Sequence, residues 1–291
     1  MTNLPKITVV TPSYNQGAFL GQTIASVLGQ LYENLEYIVM DGGSTDDSVE
    51  IIRRHESQLA FWASERDSGQ AQALNKGFAR ATGDILCWLN SDDFLLPGVL
   101  HEVARLLTEQ DGLIYGDCLS FAQRGNRARV NRPPAHDIEL LKIVDYIVQP
   151  SSFWTRNLWE KTGPLNEELH YAFDWDWFLR ASALGHVRKV DMICSAYRFH
   201  DAHKSSHGGG KRAREIVTVA GLRGGEEVAR HYQFALDHAD ALRKFEDRVL
   251  RLKGRGINRD HLARWWTPSL WTLPAGLSFE KVRECFKMLK L

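Results

Sequence analysis

The chain has 291 residues, 44% of them hydrophobic, and 36 Lys and Arg balance 36 Asp and Glu. That length and apolar content suit one large domain with an appendage, and the neutral balance offers nothing to a nucleic-acid partner. The balance is uneven along the chain: residues 201–291 carry 18 Lys and Arg against 11 Asp and Glu, which leaves 18 against 25 in the first 200.

Four short apolar runs, Ile7 to Val10, Tyr37 to Met40, Ile85 to Leu89 and Leu113 to Tyr115, read as buried strands. Between them Phe19 to Leu28, Ser48 to His55, Gln70 to Ala79 and Val99 to Leu107 place apolar residues at helical spacing. Strand and helix in alternation predict an α/β fold with a mostly parallel sheet flanked by helices. In such a sheet the ligand site forms outside the carboxyl ends of the strands. After Asp117 the pattern changes. Phe121 to Val130 reads as a hairpin around Gly125, followed by helices at Asp137 to Ile143, Arg156 to Lys161 and Asp174 to Leu184. His200 to Gly210, rich in Gly, Ser and His, reads as a mobile linker. Ile216 to Phe234 and Ala239 to Leu252 then predict a helical extension. The domain division expected is 1–200, split at 117 into nucleotide-binding and acceptor-binding halves, then a linker 201–210 and an extension 211–291.

Cys87, Cys118, Cys194 and Cys285 form no CxxC pair, which fits a reducing cytoplasm. No leader precedes the first strand and no apolar run approaches ~18 residues, so neither export nor a membrane span is expected. The basic tail fits either docking on the acidic body or lying near an anionic membrane. Trp265, Trp266 and Trp271, among Arg259, Arg264, Lys281 and Lys287, fit either an aromatic seam or a membrane-interface anchor.

The residues at the strand ends carry the chemistry. Thr11, Pro12, Ser13, Tyr14 and Asn15 close the first strand, and Asp41 to Asp46 close the second. Tyr14 can stack a flat base, and Asp41, expected free, can accept a base N–H. Gly42 and Gly43 let backbone come close, and Thr45 or Asp46 caps the next helix. Arg66 and Asp67 lead into a helix opened by Gly69, where Arg66 and Lys76 can meet phosphate or form surface salt bridges. Asn90, Ser91, Asp92 and Asp93 follow the apolar strand directly. Carboxylates there are costly to desolvate without compensation, and Mg²⁺ or Mn²⁺ shared with substrate phosphates would supply it; the alternative is a cap for the helix near Pro97. Asp174 and Asp176 stand among Phe173, Trp175, Trp177 and Phe178, a setting that raises a carboxyl pKa and suits a proton acceptor. Either could instead be an N-cap. His200, His203 and His207 have zinc-like spacing, but their Gly and Ser neighbours read as a loop.

TPSYNQ, DGGSTD, DSGQAQALNKG, WLNSDD, QPSSFW, FDWDWFLR and YRFH, in this order over about the first 200 residues, resemble glycosyltransferase family 2, whose members have the GT-A fold. The resemblance implies an inverting, metal-dependent hexosyltransferase using a nucleotide-sugar, UDP being the commonest expectation. Its acceptor would be a saccharide or a lipid-linked saccharide, in bacterial surface polysaccharide or glycolipid synthesis at the inner face of the membrane. It assigns Thr11, Ser13, Tyr14, Asp41, Arg66, Asp67, Asn90 and Ser91 to the donor, Asp92 and His200 to the metal, Asp174 to the catalytic base, and Trp175 and Asp176 to the acceptor. Asn90 departs from the family pattern, which has an acid there, and Phe173 replaces the acid before the base. The rivals are a nucleotidyltransferase, for which TPSYNQ lacks a Gly- and Lys-rich triphosphate loop, and a binding module without turnover.

Overall fold

A computed structural model describes residues 4–107, 112–123, 128–201, 204, 208–254 and 273–289. Among them lies one nine-stranded sheet. β1 (Ile7–Ser13), β2 (Leu35–Asp41), β3 (Phe61–Ser64) and β4 (Ile85–Trp88) are parallel, in the order β3-β2-β1-β4. β1 is buried along its whole length, as a parallel strand covered on both faces must be. The connections between these strands are α1 (Gly17–Leu28), α2 (Ser48–Arg54) and α3 (Gln70–Phe78). Each matches its helical spacing in the sequence to within two residues.

The second half is less regular. α4 (Val99–Leu106) precedes β6 (Leu113–Ala122), which continues the sheet through β8 (Ser152–Thr155), antiparallel to both β4 and β6. β9 (Val187–Phe199) runs parallel to β6, and β5 (Phe94–Leu95) and β7 (Ala128–Asn131) add antiparallel pairs. The α/β, mostly parallel expectation holds for the nucleotide half; β3, β5, β8 and β9 are additions to it. β9 gives no period-two signal because its register slips beside Tyr115 and Asp117. The predicted hairpin is β6–β7, and Gly125 lies outside the described residues. α6 (Arg156–Thr162) and α7 (Phe173–Leu184) complete this half, and the short α5 (Ile138–Leu141) lies between β7 and β8 in the chain.

Its core is aromatic. Trp154 lies 4.7 Å from Trp177 and 5.2 Å from Trp88 between ring centroids, and Phe78 lies 4.4 Å from Trp159. The aromatic run of α7 therefore serves largely as core, and Asp174 rides on its first turn.

The amino ends of the strands are held by Glu36. It accepts hydrogen bonds from the Thr8 hydroxyl (2.6 Å), the Thr82 amide (2.6 Å) and the Thr82 hydroxyl (2.5 Å). Burial pushes this carboxyl up, but the three bonds outweigh it and the net pKa is lowered. A folded pKa below the unfolded one stabilises fully above the unfolded value, and the gain is lost as pH falls through the folded value. Glu36→Gln should therefore cost about 1–3 kcal/mol at pH 7. The deficit relative to wild type should shrink toward pH 3; urea unfolding at both pH values measures it.

Contacts divide the chain into a unit of Met1–Ile138 with Tyr146–His203 and a second of Glu139–Asp145 with Lys204–Leu291. The second contains α8 (Gly209–Val219), α9 (Glu226–Asp237), α10 (Ala239–Gly254) and α11 (Phe279–Leu289). α8 begins inside the stretch read as a linker. The single helix expected over Ile216 to Phe234 is broken at Gly225, whose φ of +83° is left-handed. Lys281 pairs with Glu227 and Lys287 with Glu284. Trp265, Trp266, Trp271, Arg259 and Arg264 lie outside the described residues. Among the described residues no helix is long and apolar enough to cross a membrane.

Candidate active site

The carboxyl ends of β1, β2 and β3 stand side by side, with Asp41 in register between Ser13 and Ser64. Asp41 is buried, which requires its charge to be satisfied inside the protein. Its Oδ2 accepts the Gly43 amide (3.1 Å), the Ser44 amide (2.9 Å) and the Ser64 hydroxyl (2.7 Å), while Oδ1 accepts the Ser44 hydroxyl (2.5 Å). The expectation of a free carboxylate is thus corrected: Asp41 shapes the turn that follows β2. Thr11 is corrected as well. It is fully buried and its hydroxyl lies 3.0 Å from Tyr37 Oη, so the side chain faces the core. Ser13 is buried and its hydroxyl has no partner among the described residues.

Tyr14 is 61% exposed, at the tip of a loop that is itself held firmly. The Asn15 amide donates to Ser44 Oγ (2.8 Å), the Thr45 amide donates to Asn15 Oδ1 (2.8 Å), and the Gln16 amide donates to Ser48 Oγ (3.1 Å). Asp46 accepts the amides of both Gly17 (2.8 Å) and Ser48 (3.0 Å), which fastens the loop to the first residue of α2, but the residue at the cap position is Asp47, with no side-chain cap bond, so the expected cap at Thr45 or Asp46 is corrected. The first two motif segments are one stapled surface.

Asp67 accepts the Gly69 amide (2.9 Å), and a Cβ on Gly42 would lie 2.7 Å from its Oδ2. A larger residue at position 42 would have to displace the Asp67 carboxyl. Burial raises the Asp67 pKa, with Asp41 adding to the rise and the Gly69 bond and Lys76 opposing it. Arg66 is exposed and makes no ion pair among the described residues. Lys76 is instead committed to Glu65 at 2.7 Å.

Beyond β4, Asn90 bonds through both atoms of its amide, to Gln70 (2.7 Å) and Gln149 (3.2 Å). Ser91 is buried, with its carbonyl accepting from Thr23 Oγ1 (2.9 Å). Asp92 and His200, 108 residues apart, come together with Oδ2 3.0 Å from Nε2. Their side chains are 16% and 2% exposed. Neither Asp92 nor Asp93 caps α4, which begins at Val99 with Gly98 before it.

Arg198, which sequence reasoning passes over inside YRFH, builds this pair. Its amide donates to Asp93 Oδ1 (3.0 Å), its Nε to the Asp92 carbonyl (3.0 Å) and its Nη2 to Gln22 Oε1 (2.5 Å). The guanidinium sits over Phe19, and the His200 ring packs 4.4 Å from the same phenyl. Asp93 is buried, its carboxyl pushed up by desolvation and then by the Asp92 charge.

One carboxylate oxygen and one imidazole nitrogen converging on a point are a donor set that fits Mn²⁺ or Mg²⁺. Among the described residues no group of three or more His, Cys, Asp or Glu could hold a metal alone. The remainder of a shell would be substrate diphosphate oxygens and water. His203 and His207 lie outside the described residues.

α7 supplies the remaining acids. Asp174 is half-buried in its first turn, and its Oδ1 accepts the Trp175 amide (2.8 Å). Trp175 and Asp176 are each 1% exposed, so their expected acceptor contact is corrected. Asp176 is paired with Arg180 at 3.0 Å, and Arg180 also donates to the carbonyls of Thr162 (2.6 Å) and Pro164 (2.8 Å). Asp176 is not the helix cap either, since α7 begins at Phe173 with no side-chain cap. The loop before α7 is fastened to α3: Asn75 bonds the Leu165 backbone in both directions (2.9 and 3.0 Å), and Gln72 and Asn75 donate to Glu167 (3.0 and 2.9 Å). His170 lies against Gly69, 3.2 Å from where a Cβ would stand. These bonds tie the helix carrying Asp174 to the one that follows Asp67.

A sheet whose carboxyl edge carries an exposed Tyr, an Asp–His pair and a half-buried Asp on a separate helix has the make-up of a transferase of GT-A type. The Glycosyl transferase family 2 model matches residues 8–178, more than half of the sequence. The chain belongs to glycosyltransferase family 2. It is 30% identical over 247 residues to the O-antigen biosynthesis protein RfbC of Myxococcus xanthus, which covers 81% of this chain and 19% of that protein. The structure of S. aureus TarS 1-349 in complex with UDP-GlcNAc aligns with a TM-score of 0.63 at 16% identity, over 78% of this chain and 71% of that one. A mannosyltransferase from Pyrobaculum calidifontis in complex with GDP-Man and Mn²⁺ aligns with a TM-score of 0.59 at 17% identity, over 99% of this chain and 87% of that one.

Proposed function

We propose that this transferase is an inverting hexosyltransferase that moves a sugar from a UDP-sugar to a hydroxyl of a saccharide or lipid-linked acceptor. The observation that carries the reading is the convergence of Asp92 and His200 at the strand edge that also presents Tyr14. Residues 1–117 receive the donor and 118–200 the acceptor. Tyr14 stacks on the base beside the turn that Asp41 shapes, with the Ser13 hydroxyl at its edge. Asn90 and Ser91 meet the ribose side, and exposed Arg66 and the Asp67 segment lie toward the diphosphate and sugar.

Asp92 and His200 would hold a divalent cation. When bound, that ion neutralises charge on the departing nucleoside diphosphate. Asp174 accepts the proton of the acceptor hydroxyl as its oxygen bonds to the anomeric carbon. The carbon–oxygen bond to the diphosphate breaks on the opposite face, so the anomeric centre inverts. The relationship to an O-antigen protein supports surface polysaccharide synthesis, and a UDP-sugar donor agrees with work in the cytoplasm, at the inner membrane face.

Calorimetric titration of UDP, dTDP and GDP, with and without Mn²⁺, tests the donor class. UDP is expected to bind most tightly and to require the ion. Absence of binding by all three would overturn the transferase reading.

A further inference from the structure

Gln70, Asn90 and Gln149 belong to the start of α3, the loop after β4 and the turn ahead of β8, and their amides form one chain. Gln70 Nε2 donates to Asn90 Oδ1 (2.7 Å), Asn90 Nδ2 donates to Gln149 Oε1 (3.2 Å), and Gln149 Nε2 donates to the Trp88 carbonyl (2.7 Å). The last acceptor gives the chain its direction. A main-chain carbonyl has no hydrogen to offer, so Gln149 must turn its NH₂ toward Trp88 and its oxygen toward Asn90. Asn90 must then present its NH₂ to Gln149 and its oxygen to Gln70. Gln149 is 7% exposed and Trp88 1%, so a reversed amide would set oxygen against oxygen with no water to relieve it.

We infer that Gln70 and Gln149 are positioning residues that hold the Asn90 amide in one orientation, and that this relay requires an amide at the place where the family resemblance puts an acid. The inference rests on the reading that Asn90 faces the nucleotide. An aspartate at position 90 has no hydrogen for Gln149 and places its charge against the Gln149 carbonyl oxygen. Restoring the acidic pattern should therefore harm the site, although an added carboxylate beside a cation would by itself strengthen it.

The test measures UDP affinity in Mn²⁺ for the full chain and two variants, with thermal unfolding as the check on folding. Asn90→Asp is expected to bind UDP about tenfold or more weakly at neutral pH; equal or tighter binding overturns the inference. Gln149→Glu supplies a readout that packing alone does not move. Protonated, the new carboxylic acid reproduces both contacts, its O–H donating to Trp88 and its carbonyl accepting from Asn90. Ionised, it cannot. Its affinity relative to wild type, measured at the same pH, should be close to parity at the acid end and fall as pH rises through the titration of the introduced carboxyl. A deficit independent of pH, or none, overturns the relay while leaving the transferase reading in place. A wild-type chain that binds no nucleotide overturns both.

Discussion

Asp174→Asn should lower kcat by about 10²–10⁴-fold, the usual contribution of a general base, while leaving UDP affinity within about twofold of wild type. The substitution is chosen by geometry. Asp174 Oδ1 accepts the Trp175 amide at 2.8 Å, and an asparagine oxygen can keep that bond, so the start of α7 is preserved. The amide cannot accept the acceptor's proton. Because Asp174 sits on a helix tied to α3 through Leu165 and Glu167, its loss removes a proton acceptor without loosening the donor segments. Steady-state turnover with UDP-sugar, set beside calorimetric UDP affinity, separates the two effects. Unchanged turnover would remove Asp174 from the reaction, and lost UDP binding would reassign it to the donor site.

Asp92→Ala should abolish the enhancement of UDP binding by Mn²⁺, a loss of several kcal/mol if the ion bridges protein and diphosphate. His200→Ala should act in the same direction. The fold is expected to survive because the main-chain carbonyl of Asp92, not its carboxylate, receives Arg198 Nε, and the Arg198 amide bonds to Asp93. The carboxylate itself lies against His200. Titrating UDP into each variant at zero and saturating Mn²⁺ gives the result directly. Persistent metal dependence in Asp92→Ala would place the cation elsewhere, whereas a metal-free affinity equal to wild type in both variants would confirm that only the ion's contribution has gone.

Residue type alone does not say which of the expected site residues can reach a ligand. Tyr14 and Arg66 are open to a ligand, whereas Thr11, Trp175 and Asp176 have the right chemistry and are buried. Asp176 shows why the pattern misleads. An acid two residues after Asp174 looks like a second polar contact, yet a helix turns about 100° per residue, so the two leave α7 on different sides. One is partly exposed while the other meets Arg180 inside.

Local information determined the first four helices and strands β1, β2 and β4 beside them. An apolar run flanked by polar turns, or apolar residues at three-to-four spacing, is set by neighbours within one element. The same locality placed the polar motifs at strand ends, and therefore at the ligand edge. What needed tertiary structure was every relation between segments far apart in sequence. Asp92 meets His200 across 108 residues, Asn90 meets Gln149 across 59, and Asp41 meets Ser64 across 23. β8 and β9 are strands chiefly because β4 and β6 offer edges to pair with. The break at Gly225 and the slips in β9 are settled in the same way, by which backbone groups find partners once the sheet and helices have assembled. Buried polar groups must be satisfied by whatever the fold brings near them, and no pattern within a single segment records who those partners are.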